Sequence, residues 1–332
     1  MVAKLLLPGW FLGLLVVIAG CTNLTEYDMA YMAGLYVISA GDFTVIETIP
    51  DIEGARILLL YPGNIFVVST EGVIYRYDSE TMELVDQNQI GSPSAAGYSD
   101  AVFCTVKNTA YIIGSYGEIL ELSLPECVLV DQFSVCQSPV MLALGAGASY
   151  LFVADGPSNR VYQVKVNGNK TGDNVSIYYT IRCMAPFQNP DSMLVSTVED
   201  LNLVSVLSAT NLRSVLLAGG RPFSALVAVP DDTVFIGVNG NSIGVFDAIG
   251  TGLPPWPTFE KTVWFAGTPL CLAVANDWQH AYLLVYMAGV NSSRLISYNY
   301  SSGHIDRELD IPGYPLDLEV LGGEAVYVLT TK

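Results

Sequence analysis

Positive charge is scarce in these 332 residues: 14 Lys and Arg stand against 32 Asp and Glu, for a formal net charge of −18. A field of that sign repels phosphate backbones, which excludes nucleic acid as a partner and disfavours anionic head groups. Histidine is scarcer still, with only His280 and His304. Neither sits in H-x-H or H-E-x-x-H, so a histidine-built metal site is not expected. His280 follows Trp278 at a strand turn and reads as a surface turn residue. The chain has no C-x-x-C, P-loop or EF-hand loop, which removes the zinc-ribbon, thioredoxin and NTPase readings. Long stretches with a 3.6-residue period are missing beyond the first twenty residues, so helices are not expected. Charged residues make up only 14% and hydrophobic ones 51%, which fits a packed chain and not a disordered one.

What is present begins at the N-terminus, MVAKLLLPGWFLGLLVVIAGC. Lys4 supplies a short positive region, Leu5 to Ala19 an apolar stretch, and Ile18-Ala19-Gly20 leads into Cys21. The stretch is too short and wrongly flanked for a spanning helix, and reads as an export signal. The Ile-Ala-Gly-Cys tetrad resembles the lipobox of bacterial lipoproteins. That resemblance implies a diacylglyceryl group on the Cys21 thiol, cleavage before Cys21 and acylation of the new amine. One acyl chain binds a membrane marginally, whereas two or more hold it. Thr22, in place of Asp, implies by the same resemblance an outer-membrane anchor facing the periplasm. The expected division is a signal over 1–20, a lipidated tether over 21–30 and one domain over 31–332. The signal carries one charge, Lys4, so its removal takes the net charge from −18 to −19.

Cys104, Cys127, Cys136, Cys183 and Cys271 remain, an odd number, so at least one is unpaired. An exported location permits disulfides, and Cys127 and Cys136 are nearest in sequence. A bridge between them and buried free thiols are both open.

Internal repetition is the strongest signal in the rest. Pro50, Pro93, Pro139, Pro190, Pro222, Pro269 and Pro315 recur at intervals of 43 to 51 residues, with one of 32. A short apolar run usually follows, then a turn, then a run with an aromatic near its start: Ile65-Phe66-Val67-Val68, Ala110-Tyr111-Ile112-Ile113, Leu151-Phe152-Val153-Ala154, Ala281-Tyr282-Leu283-Leu284. A third run and a polar turn follow, as at Asp78-Ser79-Glu80-Thr81, and then a fourth run. Short, β-branched or aromatic runs bounded by Gly, Asn, Asp and Ser predict strands. Four strands per unit of about 45 residues predict an all-β fold, a β-propeller of seven blades with mostly four antiparallel strands each. Leu316–Leu329 supplies two strands at one end. Leu35–Ile38 and Thr44–Ile46 supply two at the other, so both termini are expected to share the closing blade. The unit between Pro190 and Pro222 is about ten residues short and leaves its strands unassigned.

Gly220-Arg221-Pro222 through Val234-Phe235 resembles a YVTN-type repeat, as does Ser205 to Asn211 with Leu216. Leu151 to Asp155 with Ser158 to Val161 resembles an NHL repeat. The similarity to YVTN/NHL-like (YncE-type) propellers implies blade geometry and carries no chemistry of its own. Related propellers include lactonases and quinone-linked dehydrogenase subunits, so the resemblance admits an enzyme as the alternative to a binding scaffold.

The innermost strands are expected at Leu142-Ala143-Leu144, Leu226 to Val229, Leu272 to Ala275 and Leu316-Asp317-Leu318. They read as small and apolar, without the convergent polar groups of a catalytic channel. Asp231-Asp232 and Glu199-Asp200 read as turn acids. Four residues mark possible binding faces: Asp155 and Arg160 at one turn, Asp231, and Trp256 in a Pro-rich insertion. No catalytic residue, metal ligand or cofactor is expected. The partners expected are the membrane, through lipid on Cys21, and a protein or glycan.

Overall fold

The structure, a computed structural model, describes residues 32–332 apart from 92–96, 105, 169, 171, 188–191, 209–210, 220–221, 230–233, 248–258, 276, 278 and 322–323. Twenty-eight strands form seven antiparallel sheets of four. Blade 1 is β3 (Ala55–Tyr61), β4 (Asn64–Ser69), β5 (Val73–Asp78) and β6 (Leu84–Gln89). Blade 2 is β7 (Ala101–Cys104), β8 (Thr109–Ile113), β9 (Ile119–Ser123) and β10 (Val128–Phe133). Blade 3 is β11 (Pro139–Leu144), β12 (Tyr150–Asp155), β13 (Arg160–Lys165) and β14 (Asp173–Ser176). Blade 4 is β15 (Ile181–Pro186), β16 (Ser192–Thr197), β17 (Asp200–Ser208) and β18 (Asn211–Gly219). Blade 5 is β19 (Ala225–Ala228), β20 (Val234–Asn239), β21 (Ser242–Asp247) and β22 (Phe259–Trp264). Blade 6 is β23 (Thr268–Val274), β24 (His280–Met287), β25 (Ser292–Asn299) and β26 (His304–Pro312). Blade 7 joins β27 (Pro315–Leu321) and β28 (Ala325–Thr331) to β1 (Met32–Ser39) and β2 (Val45–Glu53).

The first strand of each blade touches the first strand of the next all the way round, from β27 to β3 and back through β23 to β27. This is the closed seven-bladed propeller expected, with its last blade built from both ends. β1 pairs with β28 along its length, and the Lys332 N–H donates to the Met32 carbonyl at 2.9 Å. The two ends thus stand where another blade has its turn between second and third strands.

The apolar runs are continuous, not alternating, because each blade is covered on both faces. Seven hydrophobic clusters fill the seven gaps between neighbouring blades. In β4, Phe66 and Val68 point into the gap towards blade 2, and Ile65 and Val67 into the gap towards blade 7. Strand periodicity of two therefore supplies two cores from one run. Outer strands pack on one side only; β6 and β10 are exposed at most positions.

The short unit is a complete blade. Residue 190 lies between β15 and β16, not ahead of the first strand, so counting from Pro190 cut the unit short. Pro139, Pro269 and Pro315 do stand in first strands, whereas Pro50 lies within the outer strand β2. Pro93 and Pro190 lie outside the described residues. Between blades 4 and 5 the packing is aromatic. Phe187 stacks on Phe235 (5.8 Å), Phe235 on Phe246 (5.4 Å) and Phe246 on Phe223 (5.0 Å). Gly237 makes room for this: a Cβ there would meet the Phe223 ring at 2.6 Å.

The scarce cations tie blades together. Arg76 donates to the Pro125 carbonyl (3.0 Å), Lys107 to Val166 (2.6 Å), Lys261 to Ser301 (2.9 Å) and Arg307 to Gly41. Each acceptor lies in the turn between third and fourth strands of the following blade. The polar insertion of blade 3 adds to this. Its Lys170 reaches Glu121 of blade 2 at 2.6 Å, which also meets Lys107 at 3.5 Å and accepts from the Tyr111 hydroxyl at 3.3 Å. Lys170 also lies over the Phe133 ring at 4.9 Å, a cation–π contact.

The Cys127–Cys136 bridge does not form. None of the five cysteines of the described chain is disulfide-bonded, with Cys127 in the gap between blades 1 and 2 and Cys136 against the gap between blades 2 and 3. Different gaps hold the two side chains apart. Burial pushes both thiols up to about 12, so they stay protonated and poorly nucleophilic at neutral pH.

Candidate functional site

The first strand of each blade is a sheet edge, and its free N–H and C=O groups face the axis. One position on this strand recurs around the ring, next to the bulge that interrupts its ladder with the second strand. In blades 7, 4 and 6 it holds Asp317, Cys183 and Cys271, and Asp100, just ahead of β7, plays the same part for blade 2. Each reaches the next blade. Asp317 accepts from the Leu58 N–H (2.7 Å) and Asp100 from the Leu142 N–H (2.7 Å). The Cys183 thiol donates to the Phe223 carbonyl (3.6 Å) and the Cys271 thiol to the Leu316 carbonyl (3.8 Å). Ser196 adds to the same joint, accepting from the Phe223 N–H at 2.8 Å.

A third acid, Glu319, stands two residues beyond Asp317. All three acids are partly accessible along the axis yet enclosed by the surrounding blades, and the enclosure governs their protons. Burial raises Asp100 to about 7, against the hydrogen bond from Leu142 and with help from the charge of Asp317. Burial raises Asp317 to about 6. Glu319 is raised furthest, to about 8, by burial first and then by the charges of Asp317 and Asp100. A group of shifted carboxyls in an enclosed site is where chemistry is looked for first. Here two of the three are engaged as ties between blades. No group of three or more His, Cys, Asp or Glu among the described residues is placed to hold a metal ion.

The expectation of a purely apolar axis is thus overturned at Asp100, Asp317 and Glu319. The available signal was Asp317 between two leucines in an inner strand. Asp100 gave none, because it precedes a strand of only four residues.

The residues singled out from sequence do not converge here. Asp155 and Arg160 are ladder partners at the β12–β13 turn. Asp155 is buried, accepts from the Ser158 hydroxyl through Oδ2 and leaves Oδ1 without a hydrogen bond, while Arg160 is exposed. The Asp155 charge lies close enough to Cys136 to add to the effect of burial in raising that thiol. Asp231, Trp256 and Cys21 lie outside the described residues. Glu199 lies in the β16–β17 turn and Asp200 opens β17, their N–H groups donating to Thr197 Oγ1 at 3.2 and 2.8 Å. His280 opens β24 between two acids: Nδ1 meets Asp277, and Nε2 lies 3.1 Å from Asp306. Burial raises Asp277, but bonds from the His280 ring and the N–H groups of Gln279 and His280 outweigh it and lower the carboxyl.

No family model and no curated protein matches the chain. Solved structures do. A functionally unknown protein from Desulfotomaculum acetoxidans superposes with a TM-score of 0.67 at 11% identity, over 83% of this chain and 94% of that one. The β-propeller domain of Myceliophteria thermophila Cps50 (Swd1) gives 0.65 at 11%, over 83% and 96%. Hydrazine synthase from Kuenenia stuttgartiensis gives 0.62 at 10%, over 84% and 95%. At such identities the likeness shows the fold, and no activity follows from it.

Proposed function

We propose that the chain is a lipid-anchored envelope protein whose propeller is a non-catalytic scaffold for a protein or glycan partner. In this reading residues 1–20 are a cleaved signal, 21–30 a tether acylated on Cys21, and 31–332 the binding domain, held at the outer membrane and facing the periplasm. The anchor rests on the Ile18-Ala19-Gly20-Cys21 tetrad behind an apolar stretch. The observation that carries the scaffold role is at the axis: Asp100, Asp317, Cys183 and Cys271 are bonded to the next blade. The groups with chemical potential serve the ring, which leaves the loop faces as the variable surface. Cells carrying Cys21→Ser are expected to release the chain from the membrane fraction; retention of the variant would overturn the anchor. Pull-down from detergent-solubilised membranes is expected to recover a stoichiometric partner, and a clean wild-type eluate would count against the scaffold.

Glu319 favours a second reading. Its carboxyl, raised to about 8, has no tie to a neighbouring blade among the bonds described and has the proton affinity of a general acid or base. An enzyme of lactonase-like or quinone-linked dehydrogenase-like type would use it. Bound metal or quinone in the purified protein, or a turnover abolished by Glu319→Gln, would move the conclusion to this reading.

A further inference from the structure

Propeller faces are distinguished by their loops. On one face lie the turns between second and third strands and the connections from one blade to the next. The chain enters the fold on this face, because Met32 begins the third strand of blade 7. The same face carries every exposed aromatic among the described residues. Tyr116 (73% exposed) is in the β8–β9 turn, Tyr178 (96%) and Tyr179 (43%) in the β14–β15 connection, and Trp264 (76%) at the end of β22. Val290 in the β24–β25 turn and Met32 itself add exposed aliphatic surface on this face. The exposed apolar residues towards the other end are aliphatic only: Val45, Ile46, Leu84, Val85 and Val106 among them.

We propose that this face lies against a lipid bilayer of zwitterionic head groups, with the Tyr and Trp rings at the interfacial level. The proposal rests on the lipid-anchor reading for its geometry. Residues 22–31 join Cys21 to Met32, and ten residues span at most about 35 Å. A tether of that length attached at Met32 draws this face, and not the opposite one, towards the membrane. Tyr and Trp prefer the membrane–water boundary because their rings are apolar and their O–H and N–H groups stay wet. A net charge of −18 opposes close approach to an anionic surface, so the bilayer that fits is zwitterionic.

The test uses the full chain, purified in detergent and reconstituted in phosphatidylcholine vesicles whose acyl chains carry bromine, a short-range quencher of tryptophan. Most of the Trp264 emission is expected to be lost relative to unbrominated vesicles, and Trp264→Phe is expected to abolish that component, leaving Trp256 and Trp278 as background, with Trp10 added wherever residues 1–20 are retained. Leu84→Trp, an exposed substitution at the opposite end, is expected to add unquenched emission. Replacing part of the phosphatidylcholine by phosphatidylglycerol is expected to weaken the quenching, and quenching that stays unchanged or grows would overturn the charge argument. A chain that floats with the vesicles but keeps its Trp264 emission overturns the proposal, as does a dimer in sedimentation that covers Trp264 without lipid. The anchor is read separately, by the mass of the peptide bearing Cys21. Acylation without quenching sinks the docking face alone, and quenching without acylation sinks the anchor alone.

Discussion

Glu319 ionises last of the three axial acids, because burial, and then the charges of Asp317 and Asp100, raise it furthest, to about 8. Acids raised on folding stabilise the native state below their unfolded values, and that advantage is lost as pH rises through the folded values. For Asp317, Asp100 and Glu319 these lie at about 6, 7 and 8. The melting temperature is therefore expected to fall between pH 5 and pH 9, and Glu319→Gln to flatten the fall and raise stability at pH 9. A wild-type melt that is level across that range would contradict the enclosure of these groups. Below pH 4 the sign reverses for Asp277 and Asp78, whose carboxyls are lowered. Gly237 is the other residue that acts alone. Ala there meets Phe223 at 2.6 Å, and forcing apart the aromatic stack is expected to cost about 1–3 kcal/mol, readable in chemical denaturation.

Elements matter at the joints. Glu121 on β9 is buried between two lysines and a tyrosine, so Glu121→Ala strands two cations against blade 3. Breaking such a cluster costs about 3 kcal/mol, towards the lower end for buried pairs because both lysines remain partly wet. Lys170→Met, which keeps the stem over Phe133, is expected to cost markedly less. Denaturant midpoints of the two variants make the comparison, and equal losses would show that the stem, not the charge, holds the blades. These joints also separate what could be read from sequence from what could not. Strand count, blade number and the shared closing blade were legible, because a strand covered on both faces leaves a continuous apolar run bounded by turn residues. Pro190 misled because a proline fits either loop of a blade, and only pairing decides which. The acids at the axis were hidden for a different reason. Asp317 in a strand looks like any polar interruption until the Leu58 N–H of the next blade is known to need a partner. Lys170 was visible only as part of a polar insertion, since its acceptor lies 49 residues away.

At the scale of the whole molecule, the ring has no privileged start. Met32 and Lys332 meet at a hydrogen bond of 2.9 Å, as the ends of an ordinary turn would. A permuted chain that links these ends and opens at Val290, in the β24–β25 turn, is expected to fold with a similar circular dichroism spectrum and a single melting transition. Removal of Ala325–Thr331, by contrast, takes β28 from between β27 and β1 and is expected to abolish the cooperative melt. The closing blade also imposes an order in time. Among the described strands β1 is the first to be synthesised, and the strand that pairs with it along its length is the last. At ordinary translation rates roughly 15–60 s separate the two. Through that interval Ala33, Leu35 and Val37, all buried in the finished ring, have their native ladder with β2 on one side and an open edge on the other, so the nascent chain needs either an escort or temporary cover for that edge.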